Sequence, residues 1–314
     1  MTVVTFVSNA TQATWQLARN DAAGFQVVFL PLAMLITIKD CVRRLIERAS
    51  VYLGWHKQVS MALKESEAIV LRTYPLREAD LLVTLFTRTD GKVRGVARAA
   101  KKSRRRFGAA LEPLTYIRAY YDEREGQELT RLDSCDVLES PLASAMTYPR
   151  AVALGHVAEL LDELLPEREA NDAVFRLALS VLAGLRGSDV WMPVTYFELW
   201  MTRLMGYLPE LSECIVCGRS LNGSRAFFHV LADGLMCSED KRLASSEISG
   251  ESRTLAAQMF RAPLESFAGI PWPKAQAADL RKFLLQTLER HIEKKMQTTG
   301  MLDKLSTESS VAKR

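Results

Sequence analysis

The sequence is poor in the residues that build disulfide frameworks and hydrolytic centres. Cysteine occurs five times in 314 residues and histidine four times. A disulfide scaffold is smaller and denser in cysteine, so an odd five fits a reducing compartment better, with metal use by some of the thiols. There is no Ser-His-Asp arrangement, no P-loop glycine pattern and no pair of carboxylates with an obvious pocket. His156 and His291 fall inside helical stretches and read as ordinary helix residues.

Long apolar runs are nearly absent as well. The exception is Ala22 to Ile38, broken by Gln26 and kinked by Pro31, which reaches the lower edge of the roughly 17–25 residues a membrane span needs. It makes a poor signal peptide, because a lone Arg19 beside Asp21 is a weak basic region and no A-x-A cleavage site follows. Arg43, Arg44 and Arg48 lie beyond it, as they would beside a weak anchor. At Met61 the pattern changes abruptly into strand-and-turn signals. Residues 1–60 are therefore expected to be a poorly structured extension upstream of the true start. A native, dispensable extension and a membrane anchor are the alternatives.

What the chain does have is charge, unevenly spread. The formal net charge is +4, yet Lys and Arg outnumber Asp and Glu by 13 to 6 from Met61 to Tyr120 and fall short by 22 to 28 from Tyr121 to Arg314. A basic module beside an acidic one points to a polyanion-binding part joined to something else.

The basic part reads as β-structure. Strands are expected over Glu65–Tyr74 (ended by Pro75), Ala79–Thr87, Val93–Ala99, Leu114–Tyr121 and Glu128–Val137. Thr89-Asp90-Gly91-Lys92 is a hairpin signal, since Asp-Gly supplies positive φ, and Glu125-Gly126 is a second turn. Val93, Gly95 and Ala97 share one face of the third strand, with Arg94, Val96 and Arg98 on the other. Five short strands in about 75 residues suggest a small closed barrel of OB type over 61–138. After the third strand, Arg98, Lys101, Lys102, Arg104, Arg105 and Arg106 place six cations in nine positions without an acid. Such a cluster gains by releasing counterions from a phosphate backbone, without reading sequence. Phe107, Tyr116, Tyr120 and Tyr121 lie close enough to stack bases, although packing is the plainer role for each.

The rest reads as helix over 139–297. Apolar residues recur at helical spacing over Pro149–Leu165, Ala173–Leu185 (capped by Asn171-Asp172), Pro193–Leu204 and Ala275–Lys295. The tail over 298–314 is short, polar and terminal, and disorder is expected there. The fold class is thus α+β: an N-terminal OB-fold β-barrel, then an all-α domain carrying a small zinc-ribbon-like insertion at about 212–242. That insertion rests on Cys214-Ile-Val-Cys217-Gly218, with nineteen residues between Cys217 and Cys237. The spacing is that of a zinc site. The fourth ligand position holds Asp240 where a cysteine would stand. Zinc through Asp240, zinc through His229, a labile three-cysteine site and a metal-free remnant all remain open.

The runs Glu67 to Asp80, Leu85 to Arg88 and Gly91 to Lys102 resemble the RecO family of bacterial recombination mediators. So do Phe107 to Pro113, Leu204 to Leu211 and the knuckle that follows. The resemblance covers Leu63 to Lys295 and leaves out the first sixty residues. It implies a cytoplasmic, nucleoid-associated protein without covalent chemistry. Such a protein binds single- and double-stranded DNA, anneals complementary strands and, with RecR and often RecF, helps load RecA onto DNA coated by single-strand-binding protein (SSB). DNA contacts would fall to Arg94, Arg98, Lys101, Lys102, Arg104, Arg105 and Arg106, and zinc to Cys214, Cys217, Cys237 and Asp240. Arg281 and Lys282 are cationic candidates for the acidic SSB tail. An OB-fold RNA-binding or translation-associated protein and a zinc enzyme are the competing readings.

Overall fold

The computed structural model describes residues 63–122, 128–187 and 189–308, together with three short strands nearer the N-terminus. These strands, Val4–Phe6 (β1), Trp15–Ala18 (β2) and Gln26–Val27 (β3), pair antiparallel in that order. The rest of 1–60, most of the apolar run from Ala22 and the Glu125-Gly126 turn lie outside the described residues. Among the described residues no helix is long and apolar enough to cross a membrane.

Strands Lys64–Pro75 (β4), Leu81–Thr87 (β5), Gly91–Ala97 (β6), Tyr116–Asp122 (β7) and Thr130–Glu139 (β8) close a barrel in the order β4-β5-β6-β8-β7. All neighbours are antiparallel except β6 and β8, which run parallel. β4 serves both partners because it is long and carries an irregularity between Val70 and Arg72, the kind of bulge that bends a strand round a barrel corner. Alternation places Val93, Ala97, Val83, Leu85, Ile117 and Leu132 inside, as the period of two requires. Ala68-Ile69-Val70-Leu71 breaks the alternation, being buried throughout. Ala68 and Val70 fill the barrel, while Ile69 and Leu71 join the core of the helical region.

That region contains Tyr148–Leu164 (α1), Asp172–Gly184 (α2), Trp191–Leu204 (α3), Gly250–Met259 (α4), Ala278–Ile292 (α5) and Thr299–Glu308 (α6). Asn171 caps α2, its side chain accepting from the Val174 amide at 3.1 Å. Phe175 of α2 packs edge-on against Phe86 and Tyr116 of the barrel, with ring centroids 5.4 and 6.2 Å away, which locks barrel and helices together. His156 does more than occupy a helix. Fully buried, it bonds Glu198 of α3 at 2.9 Å and Thr298, just ahead of α6, at 2.8 Å.

The expected disorder over 298–314 is corrected for 299–308. Helix α6 forms there and buries Leu302 and Leu305 against Val152 of α1. Two leucines three apart are a faint apolar stripe, yet the Glu159 carboxylate anchors the helix start by accepting from the amides of Gln297 and Thr298. Positions 309–314 lie outside the described residues.

Candidate nucleic-acid interface and metal centre

The basic segment after β6 is an ordered loop. Ala99 takes a left-handed conformation (φ 51°) and its amide donates to the Asp80 carboxylate at 2.8 Å, turning the chain out of the strand. A 3-10 turn over Ala100–Lys102 follows, with the Lys101 amide bound to Ala79 O at 3.2 Å. At the far end Phe107 is buried in the barrel core, and Arg106 O accepts from the Cys135 amide at 2.9 Å. Pinned at both ends, the loop holds Arg98, Lys101, Lys102, Arg104 and Arg105 exposed. Among the described residues none of these five meets an acid, whereas Lys64, Arg72, Arg88, Arg94 and Arg118 are each ion-paired.

Two expected DNA-contact residues are placed differently. Arg106 is half-buried: its guanidinium donates to Arg98 O at 2.7 Å and to Ser103 Oγ at 3.2 Å and lies 5.0 Å over the Phe107 ring. It organises the loop from within. Arg94 projects from β6 but is paired with Glu167. The aromatics also sort themselves. Phe107 and Tyr121 are core residues, and Tyr116 lies against Phe175, so these three do not offer ring faces to bases. Tyr120 is partly exposed and bonds Asp136 at 3.2 Å.

An outer row went unread in the sequence. Tyr74 pairs with Leu82, Leu82 with Val96, and Val96 with Arg131, so the four lie side by side on the barrel's outer face. Opposed residues share a face; Tyr74 and Arg131 are exposed, and Leu82 and Val96 partly so. The signal was there in the alternation of Thr130, Arg131 and Leu132, which sends the arginine outward.

The cysteine cluster closes as a compact knot. Gly218, at φ +70°, lets its amide reach back to Cys214 O at 2.8 Å, and the Ile215 amide bonds Leu235 O. Short strands Ala226–Phe228 (β9) and Ser246–Ile248 (β10) pair behind it. Cys214, Cys217, Cys237 and Asp240 bring one donor atom each to within 4.8 Å of one another. The Cys217–Cys237 sulfurs are 3.9 Å apart, and Asp240 Oδ2 lies 3.3 and 3.1 Å from the sulfurs of Cys214 and Cys237. Bonds of about 2.3 Å to sulfur and 2.0 Å to oxygen imply tetrahedral edges of about 3.8 and 3.5 Å, so the donor set fits a four-coordinate ion. Bonds from the three thiols hold the Asp240 carboxyl below its ordinary range, and the hydrogen bond that the Cys217 thiol gives to Asp240 in turn pushes that thiol up to about 12. This knot is where a metal ion could sit. His229 is not part of it: its Nδ1 accepts from the Leu231 amide at 3.1 Å.

Arg281 is corrected as a peptide-binding candidate. It is buried, donates to Thr195 Oγ1 at 2.9 Å and to Gln276 O at 2.8 Å, and lies 5.0 Å over the Trp191 ring. Burial lowers its pKa, as desolvation of a cation must. Lys282 is exposed and bonds Ser246 Oγ.

Two family models match in tandem. That of the recombination protein O N-terminal region matches residues 61–141, and that of its C-terminal region matches 146–299. A DNA repair protein RecO of Koribacter versatilis is 69% identical over 243 residues, covering 77% of this chain and 99% of the relative. The chain belongs to the RecO family. A DNA repair protein RecO of Anaeromyxobacter sp. is 32% identical over 241 residues, 76% of this chain and 94% of that one. One from Geobacter sulfurreducens is 40% identical over 160 residues, covering 48% and 62%. Membership in RecO supports a role in DNA repair and recombination and assigns the five-stranded barrel to the RecO N-terminal region.

Proposed function

We propose that this chain is a recombination mediator: it grips single- and double-stranded DNA through the barrel edge, anneals complementary strands and, with RecR and RecF, helps RecA onto SSB-coated DNA. The observation that carries the reading is the pinned loop, whose five exposed cations have no acidic partner among the described residues. Cations already paired within a protein release few counterions on binding; unpaired ones release nearly one each. Annealing needs only that two phosphate backbones be shielded from each other, so no nucleophile, base or nucleotide site is called on. The outer row adds Tyr74, a ring face on which a base can stack, and Arg131 at its far end, beyond Leu82 and Val96.

Zinc is the ion that three thiolates and a carboxylate suit best, and with four protein ligands its role is structural. It would tie the knuckle to the turn before β10. For the acidic SSB tail, the helical region offers a cleft of about 1380 Å³ beside the knuckle, lined by Arg203, Leu208, Leu255 and Phe260 among others.

The loop is tested by replacing Lys101, Lys102, Arg104 and Arg105 with Ala and titrating DNA at several salt concentrations. The slope of log K against log salt should flatten by about 3 on single strands, at roughly 0.7 per contact. An unchanged slope would show that the loop is merely solvated.

A further inference from the structure

The helical region reaches back over the barrel through the end of α1, the start of α2 and the segment between them, and this stretch is acidic. Asp162 and Glu163 lie 2.5 and 3.6 Å from the Arg72 guanidinium, and Asp172 lies 2.7 Å from that of Arg88. Glu167 pairs with Arg94. The segment is fixed in place by its backbone: the Arg168 amide donates to Lys92 O at 2.9 Å, and Lys92 Nζ donates to Asp162 O at 2.6 Å. Glu169 packs directly on Gly91, where a Cβ would come within 2.1 Å of its carbonyl oxygen.

The pair formed by Arg94 and Glu167 differs from the others. Arg72 has two carboxylates and the Tyr74 hydroxyl, and Arg88 has both Glu67 and Asp172. Arg94 has Glu167 alone among the described residues, and the two side chains are 51% and 50% exposed. Arg94 also shares the outer side of β6 with Val96, one step from the row that runs from Tyr74 to Arg131. A phosphate lying on that row would find Arg94 in reach but already neutralised.

We infer that Glu167 acts as an electrostatic stop, holding Arg94 out of the DNA grip so that the helical region sets one edge of the DNA path on the barrel. The inference rests on the DNA-binding reading above. A carboxylate fixed by its backbone stands where a phosphate would otherwise sit, and Arg94 adds nothing to counterion release while the pair is closed. Exposed pairs are weak, so releasing the stop by substitution changes affinity only severalfold.

The test uses the full chain and a labelled single-stranded oligodeoxynucleotide, titrated over a series of salt concentrations. Glu167→Gln should bind about two- to fivefold more tightly and steepen the salt slope by about 0.7, one added phosphate contact. Arg94→Ala alone should leave the slope where it is, and in the Glu167→Gln background it should return the slope to the wild-type value. The inference is overturned if Glu167→Gln changes nothing, if its gain survives Arg94→Ala, or if Arg94→Ala alone flattens the slope. Urea unfolding of each variant, with both side chains half-exposed, is expected to match the wild type. Failure of the underlying reading looks different: the wild type would then bind no DNA, or the loop substitutions would leave its slope unchanged.

Discussion

Gly91 shows how much one residue can settle. It sits at φ +68°, where a side chain is strained, and the Glu169 backbone occupies the place of a Cβ. Gly91→Ala should cost about 3 kcal/mol in urea unfolding, combining backbone strain with separation of barrel and helices; a loss under about 1 kcal/mol would deny the close approach. Its neighbour Asp90 carries a pH dependence. Burial works to raise the Asp90 carboxyl, but bonds from Tyr121, Lys64 and Thr89 outweigh it and hold the group below its ordinary range. Burial first, then the bond donated to Asp90, push the Tyr121 hydroxyl up to about 12. The Asp90 contribution is therefore complete above its unfolded value of about 3.9 and fades as pH falls through the lower folded value. The Tyr121 contribution is complete below about 10 and is lost as pH climbs toward 12. Tyr121→Phe should lose less stability than the wild type between those two alkaline limits in urea midpoints; superimposable profiles would contradict the assignment.

At the scale of elements, the knuckle is the piece that the proposed ion would hold in order, because Cys214, Cys217, Cys237 and Asp240 bring their donor atoms together there. Metal removal by a chelator should lower the melting temperature. Asp240→Ala should retain less than half an equivalent of zinc, and Asp240→Cys a full one, because thiolate completes the commoner set. Full retention by Asp240→Ala would exclude the carboxylate as a ligand. The knuckle was legible because metal geometry dictates local spacing: Cys214, Cys217 and Cys237 announced it, and Asp240 proved to be beside them. Barrel strands were legible for a similar reason, since alternation such as Val93, Gly95, Ala97 leaves little choice of face. What stayed hidden depended on distant neighbours. No pattern within β6 says that Arg94 meets Glu167, seventy-three positions on. Nor does the composition of α4, with four buried positions in ten, mark it as a helix until Ser249 is seen capping Ser252. Helix α6 needed Val152, and Arg281 became structural only through Trp191 and Thr195.

On the whole molecule, the asymmetry of charge acquires a meaning. Barrel and helical region share one apolar core through Ile69, Leu71, Phe86 and Leu114, so the basic and acidic modules are held in fixed relation. Acids of the helical region neutralise cations on β4 and β6 and just beyond β5, and the loop after β6 is left with its cations open. Such a distribution favours a single oriented DNA path with affinity but no sequence choice. The central claim is that this open edge is enough to bring complementary strands together. Annealing of complementary single strands coated with SSB, followed by fluorescence transfer between labelled strands, tests it most directly. The chain should accelerate annealing without nucleotide, and the variant lacking Lys101, Lys102, Arg104 and Arg105 should lose most of that acceleration. No acceleration by the intact chain, or full acceleration by the variant, would contradict the account.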